Sequence, residues 1–345
     1  MKIVFASYPT VMMRHGGPKT QIIQTKKYLS EIGVHVELLD MWPTDLNPNK
    51  WNLFHLFGST IGNYDLAAYL SAHHVKYVIS PIFFTRRSPR TIRTVSSVDH
   101  FMRHIARGIW SAYGITGDIC RNADRILPNT QDEANLISEG FGIPQEKIHV
   151  IPNGVEERFA NADPELFYKK YGIKDFILNV GHIGRDRKNV LGLVRALKDI
   201  DHPAVIIGKV TPSKEAELTF QEADKNKNIT IIEGLSHDSD MLASAYAASK
   251  VFVLPAKYET PGIAALEAGL AGANVVITKY GGTKEYFGDL ATYVDPYSVE
   301  SIKRGILQAL EHKTNNKLKS HIQQSFLWDK VAKKTLEVYH AIFND

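Results

Sequence analysis

The sequence predicts two α/β domains, each a doubly wound sheet of parallel strands. A chain of 345 residues is longer than one hydrophobic core usually supports. Short runs rich in Val, Ile and Phe recur along it, and most lack the polar alternation of a strand with one wet face. Such runs are typical of parallel strands covered on both faces. They form two series with helical patterns between them, and each series indicates one domain.

The predicted strands can be taken from the sequence in order. The first series comprises residues 3–6, 35–39, 53–57, 77–80, 126–127 and 148–151. The second comprises residues 176–180, 204–207, 229–232, 251–254, 275–278 and 292–294. Residues 156–174 are rich in charged and turn residues and contain no strand candidate, so we place the linker there. Residues 326–345 have the apolar stripe of an amphipathic helix.

Composition excludes several classes of protein. A net charge of +4, from 41 Lys and Arg against 37 Asp and Glu, is too weak to imply nucleic acid, although it permits brief contact with an anionic membrane. The single cysteine, Cys120, excludes an internal disulfide framework and suits a reducing cytoplasm. No run approaches 18 apolar residues, and residues 2–13 lack a signal-peptide layout. We therefore expect a cytoplasmic protein that does not span a membrane.

Residues 251–272 carry the most chemistry. A short apolar strand leads into a polar loop, and the pair Pro261 and Gly262 then opens a helix of small residues. The first helical residues, Ile263 and Ala264, have no long side chain that would screen the first N–H groups. Such a helix end carries positive partial charge and unpaired donors, so it suits a phosphate.

Two carboxylates flank this helix end, Glu259 in the loop before it and Glu267 within it. An ionised carboxylate only accepts hydrogen bonds, so it suits hydroxyl-rich groups on either side of a phosphate. A diphosphate between two sugars describes a nucleotide-sugar. The same pattern also fits an ordinary strand–loop–helix unit whose two glutamates face solvent, and the residues alone leave both interpretations open.

The segment resembles the E-x7-E signature of retaining glycosyltransferase family 4, with Glu259 and Glu267 in the two glutamate positions. The resemblance implies the GT-B fold, two Rossmann-like domains facing one another across a cleft, with a nucleotide-sugar held mostly by the second. In that family the C-terminal helix crosses back to the first domain. We therefore expect an acceptor-side domain of residues 1–157 plus 326–345 and a donor-binding domain of residues 158–325. The donor contacts expected from this segment are Thr260, Pro261, Gly262, Ile263, Ala264 and Glu267.

A glycine loop follows the first predicted strand, with Gly16 and Gly17 before a helical run. Paired glycines let the backbone approach a ligand where a Cβ would intrude, but such pairs also punctuate many turns. The loop is not G-x-G-x-x-G, so a dinucleotide dehydrogenase gains no support. In the resembling family this position closes over the donor diphosphate, and we expect Gly16 and Gly17 to do so.

A basic run, residues 185–188, follows the first strand of the second series. Arg offers a bidentate fork to phosphate oxygens and Lys a mobile point charge, although a solvated basic turn is the alternative. In the family an arginine and a lysine bind the donor phosphates. Lys188 matches the lysine, whereas His182 stands where the arginine is usual. We therefore take Arg187 as the substitute for that arginine, and we still expect His182 to contact the donor. Backbone and small residues near Gly208 and Leu235 are expected to contact the base and sugar of the donor.

A further arginine-rich segment lies just after the midpoint of residues 1–157. Its members are Arg86, Arg87, Arg90, Arg93, Arg103 and Arg107, opposed only by Asp99. A solvated helical face and a surface for an anionic acceptor or phospholipid both fit. We take Arg86, Arg87 and His100 as acceptor-side candidates. His100 and His104 are spaced i, i+4 but lack the glutamate of a zinc-protease motif. His55 is the second candidate for a histidine near the donor sugar.

Together these residues and the resemblance predict transfer of a sugar from a UDP- or GDP-sugar to an acceptor hydroxyl, by analogy in a cell-envelope glycan or glycolipid. The resemblance alone implies that the reaction retains the configuration at the anomeric carbon. Glu259 would hold the transferred sugar and Glu267 the ribose, while Arg187 and Lys188 stabilise the leaving diphosphate. The resemblance implies that no metal or other cofactor is needed, and no Asp-x-Asp stands directly at the end of a predicted strand. A sugar-nucleotide epimerase of the same fold and a non-catalytic nucleotide-sugar-binding protein are the alternatives.

Overall fold

A computed structural model describes residues 1–13, 16–40, 42, 47–105, 110–313 and 316–344, except for the side chain of His104. Of the residues named above, Arg107 lies outside this part of the chain. The chain divides into two compact units. The first unit is Met1–Gly154 with Trp328–Asp345, and the second is Val155–Leu327.

The first unit contains a five-stranded parallel sheet of order β2-β1-β3-β4-β5. Its strands are β1 Lys2–Ser7, β2 His35–Leu38, β3 Leu53–Phe57, β4 Tyr77–Ser80 and β5 Arg125–Ile126. Its first five helices are α1 Gly17–Glu31, α2 Tyr64–Ala72, α3 Pro89–Ile105, α4 Ala112–Asn122 and α5 Gln131–Phe141. Alternate residues of β1 pack into different clusters, with Ile3 and Phe5 in one and Val4 and Ala6 in the other. The sheet therefore has a hydrophobic core on each face, as the unbroken apolar runs predict.

The second unit contains a six-stranded parallel sheet of order β11-β10-β9-β6-β7-β8. Its strands are β6 Phe176–Val180, β7 Ala204–Gly208, β8 Ile229–Glu233, β9 Ser249–Leu254, β10 Asn274–Thr278 and β11 Thr292–Val294. Its helices are α6 Glu165–Tyr171, α7 Val190–Ala196, α8 Lys214–Ala223, α9 Asp240–Ala248, α10 Ile263–Ala271, α11 Thr283–Phe287, α12 Val299–Glu311 and α13 Asn316–Ser325. The prediction of two doubly wound parallel sheets is confirmed.

The last helix, α14, spans Trp328–Asn344 and returns to the first unit. Its buried face includes Trp328, Val331 and Tyr339, which join the core formed with β1 and α1. The ring of Trp328 packs so closely on Gly154 that a Cβ there would lie 2.6 Å from a ring carbon. The amphipathic pattern of residues 326–345 thus corresponds to a helix whose apolar face is covered.

Two predictions about secondary structure are wrong. Residues 148–151 form no strand, because Ile148 makes only an isolated bridge to Ile126 and β5 is two residues long. Pro128, which follows β5, has no N–H for a longer ladder. Residues 156–174 are not a linker, since Phe159 and Phe167 are buried in the core of the second unit.

Among the helices of the described residues, none has the length and apolar composition needed to cross a bilayer.

Candidate active site

The candidate site is formed by two loops at the carboxyl ends of neighbouring strands. Strand β6 pairs in parallel with β9, so the loops after them start from the same edge of the sheet. The two loops are joined by backbone and side-chain bonds. Lys257 N donates to Arg187 O at 2.8 Å, and Asn189 Nδ2 donates to Pro255 O at 3.0 Å. The basic run and the carboxylate loop, which lie about seventy residues apart in sequence, are thereby held together.

Glu259 is the centre of this arrangement and is only 7% exposed. Its Oε1 accepts hydrogen bonds from Arg187 Nη1 at 3.0 Å and from Lys188 Nζ at 2.5 Å. Burial alone would raise the pKa of Glu259, but the charges and hydrogen bonds of Lys188 and Arg187 outweigh it and hold the pKa below its ordinary value. The structure therefore keeps Glu259 ionised between two cations.

Arg187 is fixed by more than its ion pair. Its Nη1 also donates to the carbonyl oxygen of Tyr258 at 3.0 Å, and its guanidinium lies 5.2 Å from the centre of the Tyr258 ring. The side chain of Arg187 is 39% exposed and that of Lys188 is 18% exposed. Two cations share one carboxylate here, so the cluster has an excess positive charge that an anion from solvent could balance.

The loop that carries Glu259 is held from its other side by Gly281. The backbone N–H of Glu259 donates to Tyr280 O at 3.1 Å, and Gly281 has a φ of +94°. A Cβ at residue 281 would lie 1.9 Å from the carbonyl oxygen of Glu259. Only glycine combines this backbone conformation with so close an approach, so Gly281 fixes where Glu259 stands.

Helix α10 begins directly after this loop at Gly262, which has a left-handed φ of +71°. Within the described part of the chain no side chain caps the helix, and its first turn carries Ile263 and Ala264, both half-buried. Thr260 and Pro261, also half-buried, connect the glutamate to the helix. The helix start thus combines the positive end of its dipole with amide groups that no side-chain cap satisfies, next to the cations around Glu259.

Glu267 lies on the inner side of α10 and is 3% exposed. Tyr246 Oη donates to its Oε2 at 2.7 Å, and His237 Nε2 lies 2.7 Å from its Oε1. The hydrogen bond to Glu267 raises the pKa of His237 to about 9, against the opposing effect of burial. The interpretation in which both glutamates face solvent is therefore wrong, because each is buried and bound by polar side chains.

Sequence reasoning missed His237. It lies in the loop after β8, where its carbonyl oxygen accepts a hydrogen bond from Arg158 Nη2 at 2.6 Å. Nothing in its spacing from Glu267 predicts the contact, and the only available signal was its position just beyond a strand of the second series. The side chains of Glu156, His237 and Asp238 are close enough to share a cation. Arg158 Nε, however, lies 3.4 Å from Glu156 Oε2, so a positive charge already adjoins that group.

The other candidates of the second unit lie nearby in the fold. His182 is half-buried in the loop after β6, and Leu235 is half-buried in the loop after β8, where it packs on the core. Gly208 ends β7, and a Cβ there would lie 1.7 Å from the carbonyl oxygen of Gly181. The loops after β6, β7, β8 and β9 thus share one edge of the sheet.

The remaining candidates lie in the first unit. Gly17 begins α1, and Gly16 precedes it with a φ of +147° and no atom within 4 Å of the position of a Cβ. Arg86, Arg87 and His100 are exposed, on α3 or just before it.

Two of the sequence expectations for charged residues change in the structure. His55 is 1% exposed on β3, in contact with Tyr339 and Ser80, and burial lowers its pKa to about 3, so it is a neutral core residue. The prediction that only Asp99 opposes the arginine-rich segment is incomplete, because Asp118 also pairs with Arg103, at 2.5 Å.

Comparison with known proteins identifies related glycosyltransferases. Residues 167–325 match the family model of glycosyl transferases group 1, and residues 49–159 match that of glycosyltransferase family 4. A glycosyltransferase of Methanocaldococcus jannaschii is 30% identical over 223 residues, which are 58% of this chain and 55% of the relative. The chain spans about half the length of the curated relatives it matches.

Two solved structures share the fold over almost the whole chain. Sucrose-phosphate synthase from Thermosynechococcus elongatus has a TM-score of 0.77 at 17% identity and is covered completely, as is this chain. Anabaena HepE, solved in complex with UDP, has a TM-score of 0.73 at 16% identity, with 99% of this chain and all of HepE covered. These two structures show that the chain has the GT-B fold, and the two family models, which match residues 49–159 and 167–325, show that it belongs to glycosyltransferase family 4.

Proposed function

We propose that this protein is a retaining glycosyltransferase that moves a sugar from a UDP- or GDP-sugar to an acceptor hydroxyl. The observation that carries the proposal is the convergence of Arg187 and Lys188 on the buried carboxylate of Glu259, beside the uncapped start of α10. Such a cluster of cations and amides suits a diphosphate, and the UDP complex of HepE supports a nucleotide ligand for this fold.

The chemistry follows from where charge develops. As the anomeric bond breaks, the sugar becomes positive and the departing diphosphate becomes more negative. Arg187, Lys188 and the first amides of α10 are already oriented, so they stabilise that negative charge without reorganising. The leaving phosphate takes the proton of the acceptor hydroxyl. These cations balance the diphosphate in place of a metal ion, so we propose a metal-independent reaction.

The two glutamates bind the sugars on either side of the diphosphate. Ionised carboxylates offer about four lone-pair sites, and the two cations at Glu259 both use Oε1. Glu259 therefore retains capacity to accept from hydroxyls of the transferred sugar. Glu267 binds one donor at each oxygen, from His237 and Tyr246, and retains sites for the ribose hydroxyls.

The acceptor belongs by analogy to a cell-envelope glycan or lipid-linked sugar, assembled in the cytoplasm at the inner face of the membrane. Acceptor recognition would then use the first unit, where Arg86, Arg87 and His100 are exposed.

A thermal-shift panel of UDP-, GDP- and ADP-sugars tests donor binding. At about 100 times Kd a ligand stabilises its unit by about 2.7 kcal/mol, which corresponds to a rise in Tm of roughly 5–10 °C for a unit of this size. We expect that rise for one base, its loss in Lys188→Ala, and its retention in Lys198→Ala, which removes an exposed lysine of the same unit. Equal shifts for all bases, or an unchanged shift in Lys188→Ala, would contradict the proposal.

Retention and transfer need a second measurement. The preferred donor is incubated with an acceptor, and the product is analysed by ¹H NMR. The coupling constant of the anomeric proton should show that the transferred sugar has the same anomeric configuration in the product as in the donor. Incubation without acceptor separates transfer from epimerisation, since an epimerase would release an altered nucleotide-sugar under those conditions.

A further inference from the structure

One face of helix α3 is buried against the rest of the first unit. Ile92, Ser96 and Asp99 are buried, and the helix packs on α4 and α5. Asp99 is held there by an ion pair with Arg103 and by the backbone N–H of Ser111. The only acidic residue of the helix is therefore turned inward and neutralised.

The opposite face of α3 exposes large apolar side chains. Val98 is 55% exposed, Phe101 is 64% exposed and Ile105 is 66% exposed. Their spacing of three and four residues places them along one stripe of the helix. Single exposed apolar residues are ordinary on a protein surface, but an aligned stripe with an aromatic residue marks a site of interaction.

Positive charge surrounds this stripe. Arg86, Arg87, Arg90 and Arg93 are exposed, and Asp99 is the only acidic residue of the sequence between positions 82 and 117. Arg90 precedes Phe101 by eleven residues, about three turns, so it lies on the same side of the helix. Arg93 precedes Phe101 by eight residues and lies about 80° away around the helix axis, at the edge of this face. Arg93 donates to the carbonyl of Glu139 at 2.6 Å while its side chain stays exposed.

We propose that this face of α3, residues 86–105, docks on the surface of an anionic phospholipid bilayer. The helix lies in the plane of the interface, with Phe101 and Ile105 among the upper acyl chains and the arginines at lipid phosphates. A second copy of the chain fits less well, because a two-fold contact would set this positively charged face against an identical one. A bilayer offers acyl chains to the apolar stripe and lipid phosphates to the four arginines.

This proposal specifies the membrane contact of the proposed function and rests on it for its biological setting. Its test needs neither donor nor acceptor, because vesicle binding is measured on the protein alone. Failure of vesicle binding therefore leaves donor binding untouched, and the thermal-shift panel can fail while vesicle binding succeeds.

Co-sedimentation with phosphatidylcholine vesicles, with and without phosphatidylglycerol, tests the face. We expect binding to the anionic vesicles that weakens at high salt, and much less binding to phosphatidylcholine alone. Arg90→Glu/Arg93→Glu should weaken binding by at least about twentyfold, at about fivefold for each arginine lost. Lys169→Glu/Lys170→Glu makes the same change of charge on exposed residues of the second unit and should retain binding.

The apolar stripe is tested separately. Phe101→Ser/Ile105→Ser should lower partitioning by more than about tenfold, whereas Leu307→Ser, at an apolar residue of α12 that is 42% exposed, should not. The circular dichroism spectrum and the Tm of the protein alone should match those of the wild type in both α3 variants, which shows that they fold. Equal binding to both kinds of vesicle, or α3 variants that sediment like the wild type, would overturn the proposal. So would a wild-type dimer that Phe101→Ser/Ile105→Ser converts to a monomer in light scattering.

Discussion

Replacing Glu259 with glutamine should have opposite effects on nucleotide binding and on sugar transfer. Glutamine keeps the shape of the side chain but removes the charge that Arg187 and Lys188 share at Oε1. In Glu259→Gln the two cations lose their internal counter-ion, so they should bind a free nucleoside diphosphate more tightly. Transfer should fall, because the carboxylate that we propose for the sugar is gone.

The sizes of these effects can be worked from burial and distance. Breaking a buried pair by removing one partner costs about 3–5 kcal/mol, and an exposed pair is worth about 0–1 kcal/mol. The Lys188 side chain is 18% exposed and that of Arg187 is 39% exposed, so we expect a loss of about 3 kcal/mol, or a Tm lower by roughly 6–12 °C. After solvent screening, the freed positive charge should strengthen diphosphate binding by about tenfold.

Isothermal titration with UDP and GDP measures the affinity, and a coupled assay of released nucleotide measures turnover. Glu217→Gln, which makes the same change at an exposed position of α8, should leave both unchanged. Lys188→Ala removes one of the two cations and should weaken nucleotide binding, which is the opposite of the change in affinity expected for Glu259→Gln. If Glu259→Gln bound nucleoside diphosphate more weakly than the wild type, Glu259 would not be the internal counter-ion of these cations, and the reasoning would be refuted.

Two further predictions concern the support of the glutamates. Gly281→Ala should destabilise the protein by at least about 3 kcal/mol and reduce transfer, because its Cβ meets the Glu259 carbonyl and its φ is +94°. Gly288→Ala, with φ +50° and no atom within 4 Å of its Cβ, should cost about 1–2 kcal/mol in denaturant titration, and equal losses would refute the contact. His237 has a pKa raised from 6.5 to about 9, so its pair with Glu267 contributes stability that is full below pH 6.5 and disappears as the pH rises through 9. The difference in unfolding free energy between wild type and His237→Gln should therefore shrink between about pH 6 and about pH 10, and a constant difference would count against the pair.

The strands were predictable because burial on both faces leaves a compositional trace. The five-residue apolar runs 53–57 and 176–180 became strands with the predicted bounds. Residues 148–151 have the same composition, but a strand also needs a partner, and whether one is available depends on the three-dimensional neighbour. The segment 156–174 was misjudged for a similar reason, since Phe159 and Phe167 are isolated among charged residues and only tertiary packing buries them.

For the candidate site, the sequence supplied residues but not their contacts. The proximity of Arg187 and Lys188 to Glu259 follows from β6 and β9 being neighbours, although they are separated by β7 and β8 in the chain. Parallel topology brings the two loops to one edge, which is why residues at strand ends could be grouped in advance. The pairing of His237 with Glu267 depends on the path of one loop, and no periodicity or spacing encodes that path.

The position of α14 has a consequence for how the chain is made. The first unit uses residues up to Gly154 and then α14, while all of the second unit is encoded between them. On the ribosome, therefore, the second unit can emerge whole and fold while the first still lacks the helix that covers its core. Until Trp328 and Tyr339 emerge, the part of the first unit's core that they cover is exposed to water and accessible to chaperones. A stop codon just before residue 328 should thus leave a folded second unit attached to an aggregation-prone first one.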